Sequence, residues 1–284
     1  MQYLKKIDIL FFSYLVITTI LLVFSWETIE NPLVLLAIRF LVLSVSIGVI
    51  YLNIKVKNQF VLLIRKAYPI LFSMLFYTET VHYNKLFFTN LDDILLQADA
   101  FIFGFQPSIA FSDYFSHPIF SELMYIGYFS LYIIIIAFIY ISFFKQKQHT
   151  DELFFKLATT MLLFYLFFGF FPAAGPQFYF SSPEKDLPTA FIFDKIMHFI
   201  QQAEQPTGAF PSSHVGISII ILLLMRKRVP LFFKIAVPFV ILLILSTVYI
   251  KAHYAVDAIA GIMFAPIILY LGNILYKKIP TFKI

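Results

Sequence analysis

Apolar residues run along this chain in long blocks rather than in alternation. The blocks lie at roughly 8–26, 33–53, 66–83, 119–144, 153–171, 212–226, 231–250 and 253–276, with short polar breaks between them. A helix needs about 20 mostly apolar residues to cross a bilayer, so the pattern predicts about eight transmembrane helices. A membrane barrel is excluded, because its strands would alternate apolar and polar positions. No small-residue cleavage site follows the first block, which is therefore read as a span and not as a signal peptide. No internal repeat, low-complexity tract or flexible linker is visible. The expected fold is all-α, a polytopic membrane helix bundle forming one domain over residues 1–284. Its catalytic core would lie at about 119–276, with N-terminal helices at about 1–118.

Two segments break the block pattern. In 84–118, Leu91, Ile94, Leu95, Ala98, Phe101 and Ile102 recur at helical spacing, with Asp92, Asp93 and Asp99 between them. In 172–211, Phe191, Ile192, Ile196, Phe199 and Ile200 do the same beside Asp194, Lys195 and His198. Both predict amphipathic helices lying in the membrane interface, as a lid or scaffold over the spans.

Composition turns this pattern into a statement about environment. Of 284 residues, 61% are hydrophobic and 13% charged, where a soluble domain carries about a quarter charged residues. Too few polar side chains remain to cover a water-exposed surface, so a soluble protein is excluded. The chain has no cysteine, which removes disulfides, thiolate metal sites and cysteine nucleophiles together. The net charge of +5 is distributed unevenly. With both termini in the cytoplasm and eight spans, most of the 21 Lys and Arg fall on the inner side, from Lys5 and Lys6 through Arg226, Lys227 and Arg228 to Lys277 and Lys278. Of the acids, only Asp8, Asp151 and Glu152 join them. That asymmetry is the signature of a multi-pass protein of the cell (inner) membrane and gives no support to nucleic-acid binding.

The same topology gathers three fragments on the outer, periplasmic side. They are Phe171-Pro172-Ala173-Ala174-Gly175-Pro176-Gln177, Phe210-Pro211-Ser212-Ser213-His214, and Ser246 to Asp257 with His253 inside it. Pro211 followed by Ser212 and Ser213 reads as a helix start, whose free N–H groups and dipole suit a phosphate oxygen. His253 and Asp257, four apart, share one helix face, where a carboxylate can hold the imidazole and stabilise its cation. Asp257 lies inside an apolar run, where insertion costs about 2.5–3.5 kcal/mol, so it requires a partner. His253 is then the nucleophile, Asp257 its orienting acid, and His214 the general acid for the leaving group.

Pro211-Ser212-Ser213-His214 and His253-Tyr254-x-x-Asp257-x-x-x-Gly261 resemble the type 2 phosphatidic acid phosphatase superfamily, whose motifs are Lys-x6-Arg-Pro, Pro-Ser-x-His and Ser-Arg-x5-His-x3-Asp. The likeness covers about 119–276. The stretches Leu91 to Pro107 and Phe171-Pro172-x-x-Gly175-Pro176 are similar to a branch that includes fungal inositol phosphorylceramide synthase. The resemblance implies a bundle of membrane helices and metal-independent chemistry through a phosphohistidine, with no cofactor. The chain departs from the family at its cations. Thr247 stands at the family's Arg, Gln177 where an Arg would follow Gly-Pro, and Phe170 at the Lys. Lys251 is the nearest substitute, acting as a point charge. Arg39, His82 and Lys85 are further cations on the same side.

The expected function is an integral-membrane lipid phosphate phosphatase or phosphotransferase. His253, His214 and Asp257 are its catalytic residues, and Ser212, Ser213, Lys251 and Gln177 its phosphate ligands. Its partner is a membrane lipid phosphate. Two alternatives stand beside it: transfer of a phospho-headgroup to a lipid or inositol-type hydroxyl, and non-catalytic binding of an anionic lipid. The oligomeric state is not legible in the sequence.

Overall fold

The computed structural model describes residues 3–182, 184 and 186–283. Its helices are α1 (Lys6–Phe24), α2 (Pro32–Lys55), α3 (Gln59–Glu79), α4 (Asp92–Phe103), α5 (Pro107–Tyr114), α6 (Pro118–Phe144), α7 (Thr150–Phe168), α8 (Pro176–Tyr179), α9 (Phe193–Gln201), α10 (Ser213–Met225), α11 (Pro230–Tyr249) and α12 (Ala255–Lys278). Two short strands, β1 (Tyr3–Leu4) and β2 (Phe282–Lys283), pair antiparallel near the termini. Proline opens α2, α5, α6, α8 and α11, where its missing N–H costs nothing and its fixed φ suits the first turn.

Every expected span is a helix, but their lengths and exposures differ. Six helices are long and apolar enough to cross a membrane, and the α4–α5 pair, bent by 63°, makes a seventh if it counts as one span. The expected count of eight included α7 and α10, which do not qualify alone. With 13 residues, α10 rises about 20 Å against a hydrocarbon core of about 30 Å. In α7 the first two turns carry Asp151, Glu152 and Lys156. That helix is instead the axis of the bundle, packed on α1, α3, α10 and α12, and most of its residues are buried. Its environment is protein, so lipid does not select its sequence.

The outer helices show the reverse pattern. Phe40 on α2 is 72% exposed and Met263 on α12 is 64% exposed, as expected of a lipid-facing surface. Charges inside the bundle are paired. Asp8 accepts from Arg65 and from Tyr68 Oη, and Arg39 binds Glu79 through two nitrogens while also reaching Thr18, Thr19 and the Leu15 carbonyl. Such pairing is what makes a buried ion tolerable. Arg39 is thereby committed within the N-terminal helices. His82 and Lys85 line a separate cavity of about 710 Å³ with Glu30 and Asn31.

The amphipathic segments are present as α4 and α9, with an unexpected disposition. Part of each apolar side points outward, with Phe101 90% and Phe199 76% exposed, while Leu95 and Met197 pack inward. Three of their acids, Asp92, Asp99 and Asp194, are buried against the bundle. Where the surrounding medium is lipid, the polar face is the one that gains from turning inward.

Candidate active site

Three chain junctions meet at one end of α7, α10 and α12, opposite the end where Lys5 and Lys66 pair with Asp151 and Arg228 with Glu152. Backbone bonds tie them together: Ala209 N–H donates to the Ala173 carbonyl, Ser212 N–H to Asp257, and Gln177 N–H to Lys251. Two glycines permit the closeness. A Cβ on Gly261 would lie 2.6 Å from the Ser212 carbonyl, and one on Gly175, at φ +93°, 2.8 Å from that of Ala252. The grouping expected from topology is therefore physical contact.

Carboxylates from α4 hold these junctions. Asp92 accepts from the amides of Ala174 and Gly175, both at 2.8 Å, and from Tyr254 Oη at 3.0 Å. Asp99 accepts from the amides of Ala255 at 3.0 Å and Val256 at 2.9 Å, which open α12. Asp257 at N3 accepts from the amide of Tyr254, the N-cap residue, at 2.8 Å. The N–H groups that a helix leaves unpaired at its start are thus satisfied by acids rather than water.

His253 sits just before this capped turn and is 3% exposed. Its Nδ1 lies 2.7 Å from the Ala209 carbonyl and 3.6 Å from Asp257 Oδ2. The carbonyl accepts only, so it fixes the proton on Nδ1 and leaves Nε2 with its lone pair. The hydrogen-bonding role expected of Asp257 is therefore performed by Ala209. Asp257 stands beside the ring, and its Oδ1 has no hydrogen-bond partner among the described residues. Nε2 of His253 faces Nδ1 of His214 at 3.3 Å.

His214 lies in the first turn of α10, which Ser212 caps through its hydroxyl to the Val215 amide at 3.4 Å. Among the described residues, no acceptor is paired with the amides of Ser213 and His214 or with the Ser213 hydroxyl. These are donors at a helix start, the arrangement that suits an oxyanion. Nε2 of His214 is 2.8 Å from Tyr128 Oη, a buried hydroxyl on α6. Tyr128 in turn bonds Glu204 Oε1 at 3.3 Å, and Gln177 Nε2 donates to Glu204 Oε2 at 2.6 Å. Gln201 Nε2 donates to Gln177 Oε1 at 3.0 Å.

The expected residues divide accordingly. His253, His214, Asp257, Ser212 and Ser213 come together, and Gln177 joins them through Glu204. Lys251 does not present its charge to the histidines. Its backbone is left-handed (φ 61°), and its Nζ donates to the carbonyls of Glu184 at 2.5 Å and Asp186 at 2.7 Å. Burial pushes its pKa down. Its ammonium is thus held by the Glu184 and Asp186 carbonyls and bonds neither histidine. Thr247 is buried, with its hydroxyl on the Ile244 carbonyl, and Phe170 stacks on Phe87. Among the described residues, no Lys or Arg bonds either histidine, Asp257 or Glu204.

Glu204, Tyr128 and the Ala209 carbonyl were missed in the sequence. The one available signal is the polar run Gln201-Gln202-Ala203-Glu204-Gln205, set in an apolar chain just before Pro211-Ser212-Ser213-His214. No curated protein and no solved structure matches the chain. A family model described as the PAP2 superfamily matches residues 94–271, a span that holds both histidines, Asp257 and Asp99, while Asp92 lies just before it. On that match, which covers more than half its length, the chain belongs to the PAP2 superfamily.

Proposed function

We propose that this protein transfers a phosphoryl group from a membrane lipid phosphate through a phosphohistidine on His253 Nε2. Membership of the superfamily makes it a phosphatase- or phosphotransferase-type lipid enzyme. The observation that carries the finer reading is the facing pair, His253 Nε2 against His214 Nδ1 at 3.3 Å, with the His253 proton held on its other nitrogen by Ala209. At 3.3 Å the two nitrogens bond each other, so an entering phosphate would have to part the rings, and it would then meet a lone pair on His253 and a proton donor on His214. Asp257 at 3.6 Å stabilises the positive ring that forms when Nε2 is phosphorylated. The free amides of Ser213 and His214 and the Ser213 hydroxyl bind the phosphate oxygens. Water or an alcohol then attacks the phosphohistidine, with His214 as base. The site faces the outer side of the cell membrane, with both termini cytoplasmic, in keeping with the charge asymmetry of the loops.

A second reading within the same chemistry is supported by the lack of Lys or Arg at the histidines among the described residues. A phosphomonoester brings nearly two negative charges and a phosphodiester one, so a site without a guanidinium is better matched to the diester. That charge match supports, as the alternative, transfer of a phospho-headgroup to a lipid hydroxyl, as in the synthase-like branch. The deciding experiment incubates purified protein with phosphatidic acid or a phosphoinositol lipid, with and without an added lipid alcohol, and follows free phosphate, headgroup transfer and acid-labile phosphohistidine. Phosphohistidine in wild type and its absence in His253→Ala supports the mechanism. Lipid exchange without phosphate chemistry would establish the non-catalytic binder instead.

A further inference from the structure

Glu204 is a carboxyl that the chemistry above leaves unused. It comes from the loop between α9 and α10 and meets no cation among the described residues. Its neighbours are polar but uncharged: the Gln177 amide, Tyr128 Oη, and Tyr77 and Tyr132 within electrostatic reach, with His253 also within that reach. Burial raises its pKa above the usual carboxylate range. The Gln177 amide donates to Oε2, which leaves Oε1, toward Tyr128, as the oxygen that carries a proton.

Glu204, Tyr128, His214 and His253 form a line, with steps of 3.3, 2.8 and 3.3 Å. Tyr128 owns one proton and stands between two groups that can each give or take one. When Glu204 is protonated it donates to Tyr128, Tyr128 donates to His214 Nε2, and the His214 proton must sit on Nδ1, facing the nucleophile. When Glu204 is ionised, Tyr128 donates to it instead, His214 carries its proton on Nε2, and Nδ1 is bare. The first state is an acid aimed at the leaving group and the second a base aimed at an incoming hydroxyl.

We propose that Glu204 is the proton reservoir of the reaction, setting through Tyr128 which nitrogen of His214 carries the proton. The proposal rests on the phosphohistidine reading. In the first half-reaction the bond from phosphorus to the leaving oxygen breaks and the bond to His253 Nε2 forms. The leaving oxygen takes the His214 Nδ1 proton, the Tyr128 proton moves to Nε2, the Glu204 proton moves to Tyr128, and Glu204 is left as carboxylate. In the second, the hydroxyl of water or a lipid alcohol attacks phosphorus and gives its proton to Nδ1. The bond to His253 breaks, its electron pair returns to Nε2, and the relay runs back to reprotonate Glu204. Protons and charge balance with no further reactant. Glu204 is a positioning residue in this scheme, because it acts through His214.

The test compares two substrates in each variant, a lipid phosphate ester with an alkyl leaving group, which needs a proton, and a p-nitrophenyl ester, which departs without one. Glu204→Gln is expected to lower the ratio of alkyl to aryl turnover about 10²-fold, within the range that a lost proton transfer costs. Tyr128→Phe should lower it to the same degree, and the double variant should fall no further, because both break one chain. Glu204→Asp, which keeps the acid, should recover part of the ratio. An equal loss on both substrates in Glu204→Gln, or an unchanged ratio, overturns the relay. Absence of phosphohistidine in wild type on either substrate would overturn the function reading itself, so the two failures are distinguishable.

Discussion

Asp99→Ala tests the inward orientation of the α4 acids most directly. The Asp99 carboxylate is buried and accepts from two amides of α12, at 3.0 and 2.9 Å. Truncation leaves both amides buried and unpaired, at about 1–3 kcal/mol each. It also removes a negative charge from a helix start, worth about 0.3–1 kcal/mol. The expected loss is therefore about 2–7 kcal/mol from these contributions. Asp99→Asn keeps one acceptor and should lose roughly half as much. The control lies on the same helix: Phe101 is 90% exposed, and Phe101→Ala should change stability by less than about 0.5 kcal/mol. The measurement is unfolding in detergent at fixed lipid content, followed by fluorescence of Trp26, the one tryptophan of the chain. Because α12 begins two residues after His253, turnover should fall with stability. An interfacial helix with its acids in water predicts the opposite ranking, Phe101→Ala harmful and Asp99→Ala silent. Equal stability of Asp99→Ala and Phe101→Ala would refute the reasoning.

Other outcomes follow from the same contacts. His253→Ala and His214→Ala should each lower turnover on an alkyl lipid phosphate by at least about 10²-fold, read as product release in detergent, and only the former should abolish phosphohistidine. Gly261→Val should cost about 1–3 kcal/mol or more, since its Cβ would stand 2.6 Å from the Ser212 carbonyl; a variant as stable as wild type would mean that α10 and α12 separate freely. Lys251→Ala removes the donor to the Glu184 and Asp186 carbonyls and should leave KM within about threefold, whereas a rise beyond about tenfold would mark Lys251 as a phosphate ligand. Glu204 binds its proton more tightly in the folded state, so its contribution to stability declines as pH rises from about 4.3 through its raised pKa and is constant above it. Glu204→Gln should flatten that part of the pH–stability curve.

The helices were legible because a run of apolar residues is a local property, and the bilayer demands about 20 of them together. The histidine fragments were legible for a different reason. Alternating spans return every second junction to one side, so a one-dimensional pattern specified a three-dimensional neighbourhood. Glu204 was not legible, since its meaning depends on Tyr128, 76 residues away on another helix. Lys251 is near His253 in sequence, but its backbone is left-handed and its side chain bonds the Glu184 and Asp186 carbonyls, a long-range contact that no local pattern announces. Asp92 and Asp99 were visible as one polar face of α4, but a helical wheel reports which residues share a face and not what that face meets. Here it meets the open starts of two backbone segments, where a carboxylate does more than in water.

The N-terminal helices lie mostly outside the family match, yet they reach the site through the loop that carries Glu204. Thr207, three residues on, accepts at its carbonyl from Tyr77 Oη and at its hydroxyl from Asn84, and it shares a hydrogen bond with Thr80 at 2.8 Å. All three partners lie at or just beyond the end of α3. That helix is fixed in turn by the Arg65–Asp8 and Arg39–Glu79 pairs, which join it to α1 and α2. The buried ions of the N-terminal unit are therefore mechanically upstream of the proton relay. Thr207→Val keeps the shape and deletes the hydroxyl, leaving the buried Asn84 amide without its partner, at about 1–3 kcal/mol, while Thr80 keeps its bond to the Tyr77 carbonyl. If this anchorage positions Glu204, Thr207→Val should lower the alkyl-to-aryl turnover ratio in the same direction as Tyr128→Phe, although it touches no reacting group. If the ratio holds while stability falls, α1–α3 support the fold alone and the relay is complete within the family core.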